Sequence, residues 1–213
     1  TTTASKQIIE IGYSRQLMFI RGCGLWLMTI STKDRLIVFL RATAFSGLNS
    51  CLAGSFGPLS VIAPGALFGF SLAYVIDKTI QPLEFRRMAS VAAASTLSFI
   101  VALLVCVSSA SLRYCDLGIW STAIHGAAAA GSGSICLALS LAAMVRRLRS
   151  WRFVCAMSCA GAILGGFCEM AAMFILFHTR LVEPLSSVPL ILIWQVGVGA
   201  VVAITAKTSG RIT

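Results

Sequence analysis

The chain alternates between long apolar runs and short polar connections. A helix needs about 20 mostly apolar residues to cross the roughly 30 Å hydrocarbon core of a bilayer. Six runs have that length, and they cover residues 36–56, 58–76, 88–110, 119–145, 153–177 and 188–206. The pattern therefore predicts an all-α fold, a polytopic membrane bundle of six transmembrane helices.

Basic residues are concentrated in alternate connections. They stand before the first run and after the second, fourth and sixth, at Lys6, Arg15, Arg21, Lys33, Arg35, Lys78, Arg86, Arg87, Arg146, Arg147, Arg149, Arg152, Lys207 and Arg211. The other connections carry only Arg113 and Arg180. Because Lys and Arg near helix ends are retained on the cytoplasmic side, this bias predicts that the N- and C-termini are both cytoplasmic.

The composition agrees with a membrane protein. Hydrophobic residues make up 58% of the chain and charged residues only 11%, whereas a soluble domain has about 25% charged residues. In a soluble chain the net charge of +10 would suggest nucleic acid. Here the charge stands in short connections, so the expected partners are the lipid bilayer and its anionic lipid headgroups, with no nucleic acid.

Residues 1–34 are predicted to form a cytoplasmic, interfacial amphipathic segment. Their apolar stretch, residues 8–30, is interrupted by Glu10, Arg15 and Arg21, which favours a helix lying on the membrane surface. A seventh crossing, with the amino terminus outside, is the alternative. Residues 35–213 then form the six-helix transmembrane bundle, and the connections are too short to fold as separate domains.

Glycines recur at helical spacing within several runs. Gly65 and Gly69 are four residues apart, as are Gly161 and Gly165, and Gly197 lies in the last run. In lipid, stripes of small residues let helix backbones approach each other closely. We predict that these five glycines pack helices of one chain together; contact between copies in a homo-oligomer is the alternative.

Four polar side chains from four predicted crossings fall in one layer, and polar groups inside a crossing are costly and mark functional candidates. They are Asn49, His125, Glu169 and Gln195. Counted along the helices, the last three lie about 9–12 Å below the outer surface, and Asn49 is close to that level. We predict a polar intramembrane cluster that opens outward and binds a small solute or a proton. The alternative is hydrogen bonding that joins helices and moves nothing.

Motifs of catalytic sites are missing from the sequence. It has no HExxH, no GxSxG, no CxxC and only two histidines, His125 and His178. Cys155 and Cys159 stand one helical turn apart, which suits a soft metal but is more typical of small buried side chains. We therefore predict no enzyme activity, no catalytic residues, no metal site and no cofactor.

Three motifs carry a resemblance to known proteins: PGALFG at residues 64–69, STLSF at 95–99 and WQVGVGA at 194–200. They resemble uncharacterised bacterial six-helix membrane proteins with a PGxxFG turn, an STxxF segment and a terminal WQxGxA helix. The resemblance implies the fold and a place in the bacterial inner (plasma) membrane, and no activity.

A second resemblance involves Phe177, His178 and the Ile193-Trp194-Gln195 stretch. These residues are similar to the last hairpin of NrsF-type anti-sigma factors, six-helix inner-membrane proteins whose cytoplasmic amino-terminal segment holds a sigma factor. The resemblance implies a cytoplasmic protein partner for residues 1–34. The chain departs from that family because it lacks the Cys after the fifth helix and the closing Leu-Arg-Trp.

Two functional hypotheses follow. The first is a small transporter-like or channel-like bundle that uses the outer polar layer. The second is a regulatory or scaffold protein that moves nothing and binds a cytoplasmic partner through residues 1–34 and 146–152. A hydrated route to Glu169 favours the first hypothesis, and dry packing of that residue favours the second.

Overall fold

The computed structural model describes residues 32–53, 59–109, 119–179 and 183–206, and these residues form six α-helices. The helices are α1 (Thr32–Ala53), α2 (Leu59–Thr79), α3 (Phe85–Ser108), α4 (Ile119–Met144), α5 (Trp151–Thr179) and α6 (Glu183–Thr205). A 3-10 turn, Arg146–Leu148, joins α4 to α5. The described residues contain no strand, so the predicted all-α class is confirmed.

Several helices extend beyond the apolar runs that predicted them. α1 begins at Thr32, so the last residues of the predicted amphipathic segment belong to this helix. The rest of that segment, residues 1–31, lies outside the described residues. α6 begins at Glu183, five residues before the predicted start, with Pro184 in its first turn. Proline is tolerated there because the first backbone N–H groups of a helix have no partner within it.

The six helices form a closed ring. Each helix packs against the next one in the chain, and α6 also packs against α1. The contact between α4 and α5 is the most extensive. Short connections make neighbouring helices antiparallel, so the ends of α2, α4 and α6 meet the beginnings of α1, α3 and α5.

Within the part of the chain that the structure describes, three helices, α3, α4 and α5, are long and apolar enough to cross a membrane. This finding supports a helical membrane protein. α1 carries four charged residues, Lys33, Asp34, Arg35 and Arg41, and the described apolar part of α6, Leu192–Thr205, is shorter. Six crossings and cytoplasmic termini therefore stay predictions.

The apolar core fills one end of the ring, which we call the basic end. This is the end where α2, α4 and α6 finish and where the arginine-bearing turn Arg146–Leu148 lies. The buried core residues near this end include Ile76, Ile80, Leu83, Leu141, Val145, Leu148, Phe153, Met157, Val202 and Ala206. The opposite half, which we call the distal half, holds the buried polar residues Ser121, Thr122 and His125.

Arginine side chains cap the helices that finish at the basic end. Arg35 Nη1 donates to the carbonyl oxygen of Ala206 at 3.1 Å, and Arg147 donates to the carbonyl oxygen of Ile80. Arg149 donates to two carbonyl oxygens in the last turn of α4. These carbonyls have no partner within their helices and carry the negative end of the helix dipole. Burial lowers the pKa of Arg35, and the nearby positive charge of Arg147 lowers it further.

Candidate functional site

The α4–α5 contact is built from small residues spaced four apart. Gly161 and Gly165 of α5 face Ala130 and Ser134 of α4. A Cβ atom on Gly165 would lie 2.3 Å from the Cβ of Ala130 and 2.5 Å from the carbonyl oxygen of Gly126. Ordinary contact begins at 3.4 Å, so only glycine permits this approach of the two backbones.

The other predicted packing glycines also lie at helix contacts. A Cβ on Gly65 would lie 2.8 Å from the Cα of Thr96, and one on Gly69 would lie 2.6 Å from the Cα of Ala92, both in α3. A Cβ on Gly197 of α6 would lie 2.1 Å from Cδ1 of Leu164 in α5. The five glycines thus face helices of their own chain, and contact between copies stays a separate prediction.

His125 and Glu169 face each other in the distal half of the α4–α5 contact. Glu169 continues the four-residue spacing of Gly161 and Gly165, and His125 precedes Gly126. The distance from His125 Nδ1 to Glu169 Oε1 is 3.6 Å. The histidine side chain is 1% exposed and the glutamate side chain 14%. The close backbone approach thus brings two ionisable groups together in a largely buried place.

A third helix fixes the histidine ring. His125 Nε2 lies 2.8 Å from the carbonyl oxygen of Cys106 in α3. A carbonyl oxygen only accepts, so Nε2 carries a hydrogen and Nδ1 is the nitrogen that faces the carboxyl group. A proton that reaches the pair can therefore bind at Nδ1 or at the carboxyl group. The three helices that meet here, α3, α4 and α5, are the three candidate membrane spans.

Gln195 is buried, 1% exposed, at another helix contact. Its Oε1 lies 3.5 Å from the position that a Cβ on Gly47 of α1 would take. The predicted common depth stays a prediction, because the helices extend beyond the apolar runs. At 1.5 Å per residue, His125 stands about 9 Å from the start of α4, Glu169 about 15 Å from the end of α5 and Gln195 about 18 Å from the start of α6.

Asn49 bonds to its own helix. Its Nδ2 donates to the carbonyl oxygen of Phe45, one turn back, at 2.8 Å. Among the described contacts, none joins Asn49 to His125, Glu169 or Gln195. Of the four predicted polar residues, the structure brings His125 and Glu169 together.

Trp194 is a residue that the sequence analysis did not single out. Its Nε1 donates to Ser134 Oγ of α4 at 3.2 Å, and its ring lies 5.8 Å from that of Phe68 in α2. Neither α2 nor α4 is a ring neighbour of α6, so the indole reaches across the interior of the ring. It packs on top of the apolar core and keeps some exposure. The sequence could have pointed to Trp194, because tryptophan prefers membrane interfaces and this one lies in the middle of a predicted crossing.

Two other buried hydroxyl groups form hydrogen bonds within their own helices. Thr43 and Ser98 donate to carbonyl oxygens one turn back in their own helices, both at 2.7 Å. Within the described part of the chain, no group of three or more His, Cys, Asp or Glu residues could hold a metal ion. The distal half thus brings together two side chains that can exchange protons, His125 and Glu169.

No protein-family model matches the chain, and comparison with curated proteins and with solved structures gave no match.

Proposed function

We propose that this chain is a six-crossing membrane protein whose distal half binds a proton. The bound proton is either transported itself or coupled to the transport of a small solute. The observation that carries the proposal is the contact between His125 Nδ1 and Glu169 Oε1, which lie 3.6 Å apart on the two helices with the most extensive contact. Ionisable groups inside membrane helices are costly, which is why they commonly mark proton or ion pathways.

The chemistry of the pair suits this role. Histidine is the side chain whose ordinary titration falls near physiological pH. With Nε2 committed to the carbonyl oxygen of Cys106, a proton can enter or leave only at Nδ1 or at the carboxyl group of Glu169. Either change alters the attraction between α4 and α5.

Access to the pair is best from the distal side. The basic end is closed by the apolar core and by the arginine caps. Glu169 keeps 14% of its side-chain exposure. Trp194, which lies across the ring interior on top of the core, is also partly exposed. Partial exposure of these residues supports a water-accessible space that enters from the distal end and has Trp194 as its floor.

The charge pattern supports an orientation with the basic end in the cytoplasm. Arg87, Arg146 and Arg149 are exposed at that end, and basic residues are retained on the cytoplasmic side. The proton site then faces the outside. We assign the bundle to the bacterial inner membrane on the resemblance of its motifs.

The first test is carbodiimide labelling of Glu169 across pH in the reconstituted protein, with Glu169→Gln as the blank. Carbodiimides react with protonated carboxyl groups. We expect labelling to rise as the pH falls.

Proton movement is tested in the same vesicles with a trapped pH-sensitive dye and an imposed pH difference. The wild type should dissipate the difference faster than Glu169→Gln. Thr122→Val is the matched control, because Thr122 is buried one turn from His125 and the change leaves the pair intact. No labelling at any pH, with flux no faster than in protein-free vesicles, would contradict the proposal.

A regulatory or scaffold protein is the second candidate. The dry apolar core at the basic end favours it, because a rigid base is what a docking platform requires. Its contact surface would be residues 1–34, together with the turn Arg146–Leu148 and the residues after it. A sealed, unlabelled Glu169 would favour this candidate.

A further inference from the structure

A cleft lies at the basic end between α3 and the turn that follows α4. Its volume is about 330 Å³, and it is lined by Arg87 and Ser90 of α3, by Ala143 and Met144 of α4, and by Arg146 and Arg149 of the turn. All three arginines are exposed. Three guanidinium groups therefore border one small concave surface.

The cleft is chemically suited to an anion. No carboxylate appears among the described lining residues. Arg149 is held in place, because its Nε and one terminal nitrogen donate to the carbonyl oxygens of Ala142 and Ala143, at 3.3 and 3.1 Å. Its other terminal nitrogen, and those of Arg87 and Arg146, can donate to a ligand. Guanidinium groups match the oxygens of a phosphate with paired hydrogen bonds.

The position of the cleft indicates which class of phosphate compound it binds. α3 and α4 are both candidate membrane spans, so their ends lie at the level of lipid headgroups. Phe85 and Trp151, at the same end, are 80% and 75% exposed, as aromatic side chains at a membrane interface commonly are. The cleft therefore faces the headgroup region.

Apolar side chains continue from the cleft along both helices. Leu97, 54% exposed, follows Ser90 by seven residues on α3. Leu139 and Ile135, 52% and 44% exposed, precede Ala143 by four and eight residues on α4. Residues at these spacings share a helix face. A ligand with a phosphate in the cleft would therefore lay acyl chains along exposed leucine and isoleucine side chains.

We infer that the cleft bordered by Arg87, Arg146 and Arg149 is a binding site for the phosphate of an anionic phospholipid. A free phosphate would use the same guanidinium groups, but it would leave the adjoining apolar faces uncovered. The site lies at the opposite end of the bundle from the His125–Glu169 pair and does not depend on the function proposed for that pair.

The test is native mass spectrometry of the whole chain in a neutral detergent, titrated with phosphatidylglycerol or with phosphatidylcholine of the same acyl chains. We expect phosphatidylglycerol to bind more tightly. Arg87→Gln and Arg146→Gln should each weaken its binding about fivefold, the value of one cation near an anionic lipid.

Matched controls separate the cleft from general surface charge. The first control, Arg86→Gln, changes the neighbour of Arg87 in the sequence. The second, Arg152→Gln, changes an exposed arginine of α5. Neither residue lines the cleft. Both controls should bind phosphatidylglycerol more tightly than either cleft variant does, because neither removes a guanidinium group that borders the cleft. Equal losses in control and cleft variants would overturn the site. Displacement of the lipid by the same concentration of soluble glycerol phosphate would overturn the lipid assignment and indicate a soluble phosphate ligand.

Discussion

Substitution of one glycine in the α4–α5 contact should separate the two helices by a measurable amount. In Gly165→Ala the new methyl group would lie 2.3 Å from the Cβ of Ala130 and 2.5 Å from the carbonyl oxygen of Gly126. Ordinary contact begins at 3.4 Å. The helices must therefore part by about 1 Å, and a backbone carbonyl cannot move aside as the end of a side chain can.

The cost has a packing part and an electrostatic part. Forcing an extra methyl group into a packed interior costs about 1–3 kcal/mol. A 1 Å separation would lengthen the His125–Glu169 distance from 3.6 Å, and at an effective dielectric constant of 20 the gross Coulomb loss is about 1 kcal/mol. Measured polar interactions between membrane helices average about 0.6 kcal/mol, so the packing part dominates.

Gly131→Ala is the matched control for this measurement. Gly131 lies in the same helix pair, and its nearest neighbour would be the Cβ of Ala162 at 3.3 Å, which needs only a slight adjustment. Both substitutions raise helix propensity equally, so their difference isolates the close contact. Thermal unfolding in detergent should place the midpoint of Gly165→Ala about 2–12 °C below that of Gly131→Ala. Equal midpoints would refute the close backbone approach.

Two further substitutions test contacts away from this interface. Trp194→Phe removes the donor to Ser134 and should lower the unfolding free energy by about 1 kcal/mol. In a Ser134→Ala background the same change should have a smaller effect, and equal effects in both backgrounds would contradict the bond. Arg35→Gln leaves the last carbonyl of α6 without its charged donor and should cost about 1–3 kcal/mol. Arg41 is exposed in the same helix, and Arg41→Gln should change the unfolding free energy by no more than about 0.5 kcal/mol. Denaturant titration measures the unfolding free energy of both variants. Equal losses in the two variants would contradict the capping role of Arg35.

The number and type of the helices could be read from hydropathy because each helix contains a continuous apolar run. The ends of the helices could not be predicted from hydropathy, because a polar turn can continue a helix beyond its apolar run. α1 gains its first turn from Thr32, Lys33 and Asp34, and α6 gains a turn that contains Pro184. Hydropathy also could not reveal the closure of the ring, because the contact of α6 with α1 joins the ends of the described bundle.

The candidate site was partly predictable from spacing. Glu169 continues the stripe of Gly161 and Gly165, so its place at a close helix contact follows from the sequence. The depth of Gln195 stays a prediction, because it depends on where the membrane surface crosses a helix that extends beyond its apolar run. The bond of Asn49 to its own helix could not be foreseen, because the same position on the helix also allows a contact with a neighbour.

The two ends of the bundle differ in what holds them together, and this difference decides where a proton could act. At the basic end, apolar side chains and arginine caps contact several helices at once, and none of these contacts depends on pH in the physiological range. In the distal half, α4 and α5 meet through small residues and through His125 and Glu169, whose charges change with protonation. Loss of that attraction leaves the backbone contacts near Gly161 in place. We therefore expect any response to protonation to spread α4 from α5 above Trp194, with the basic end as the fixed base.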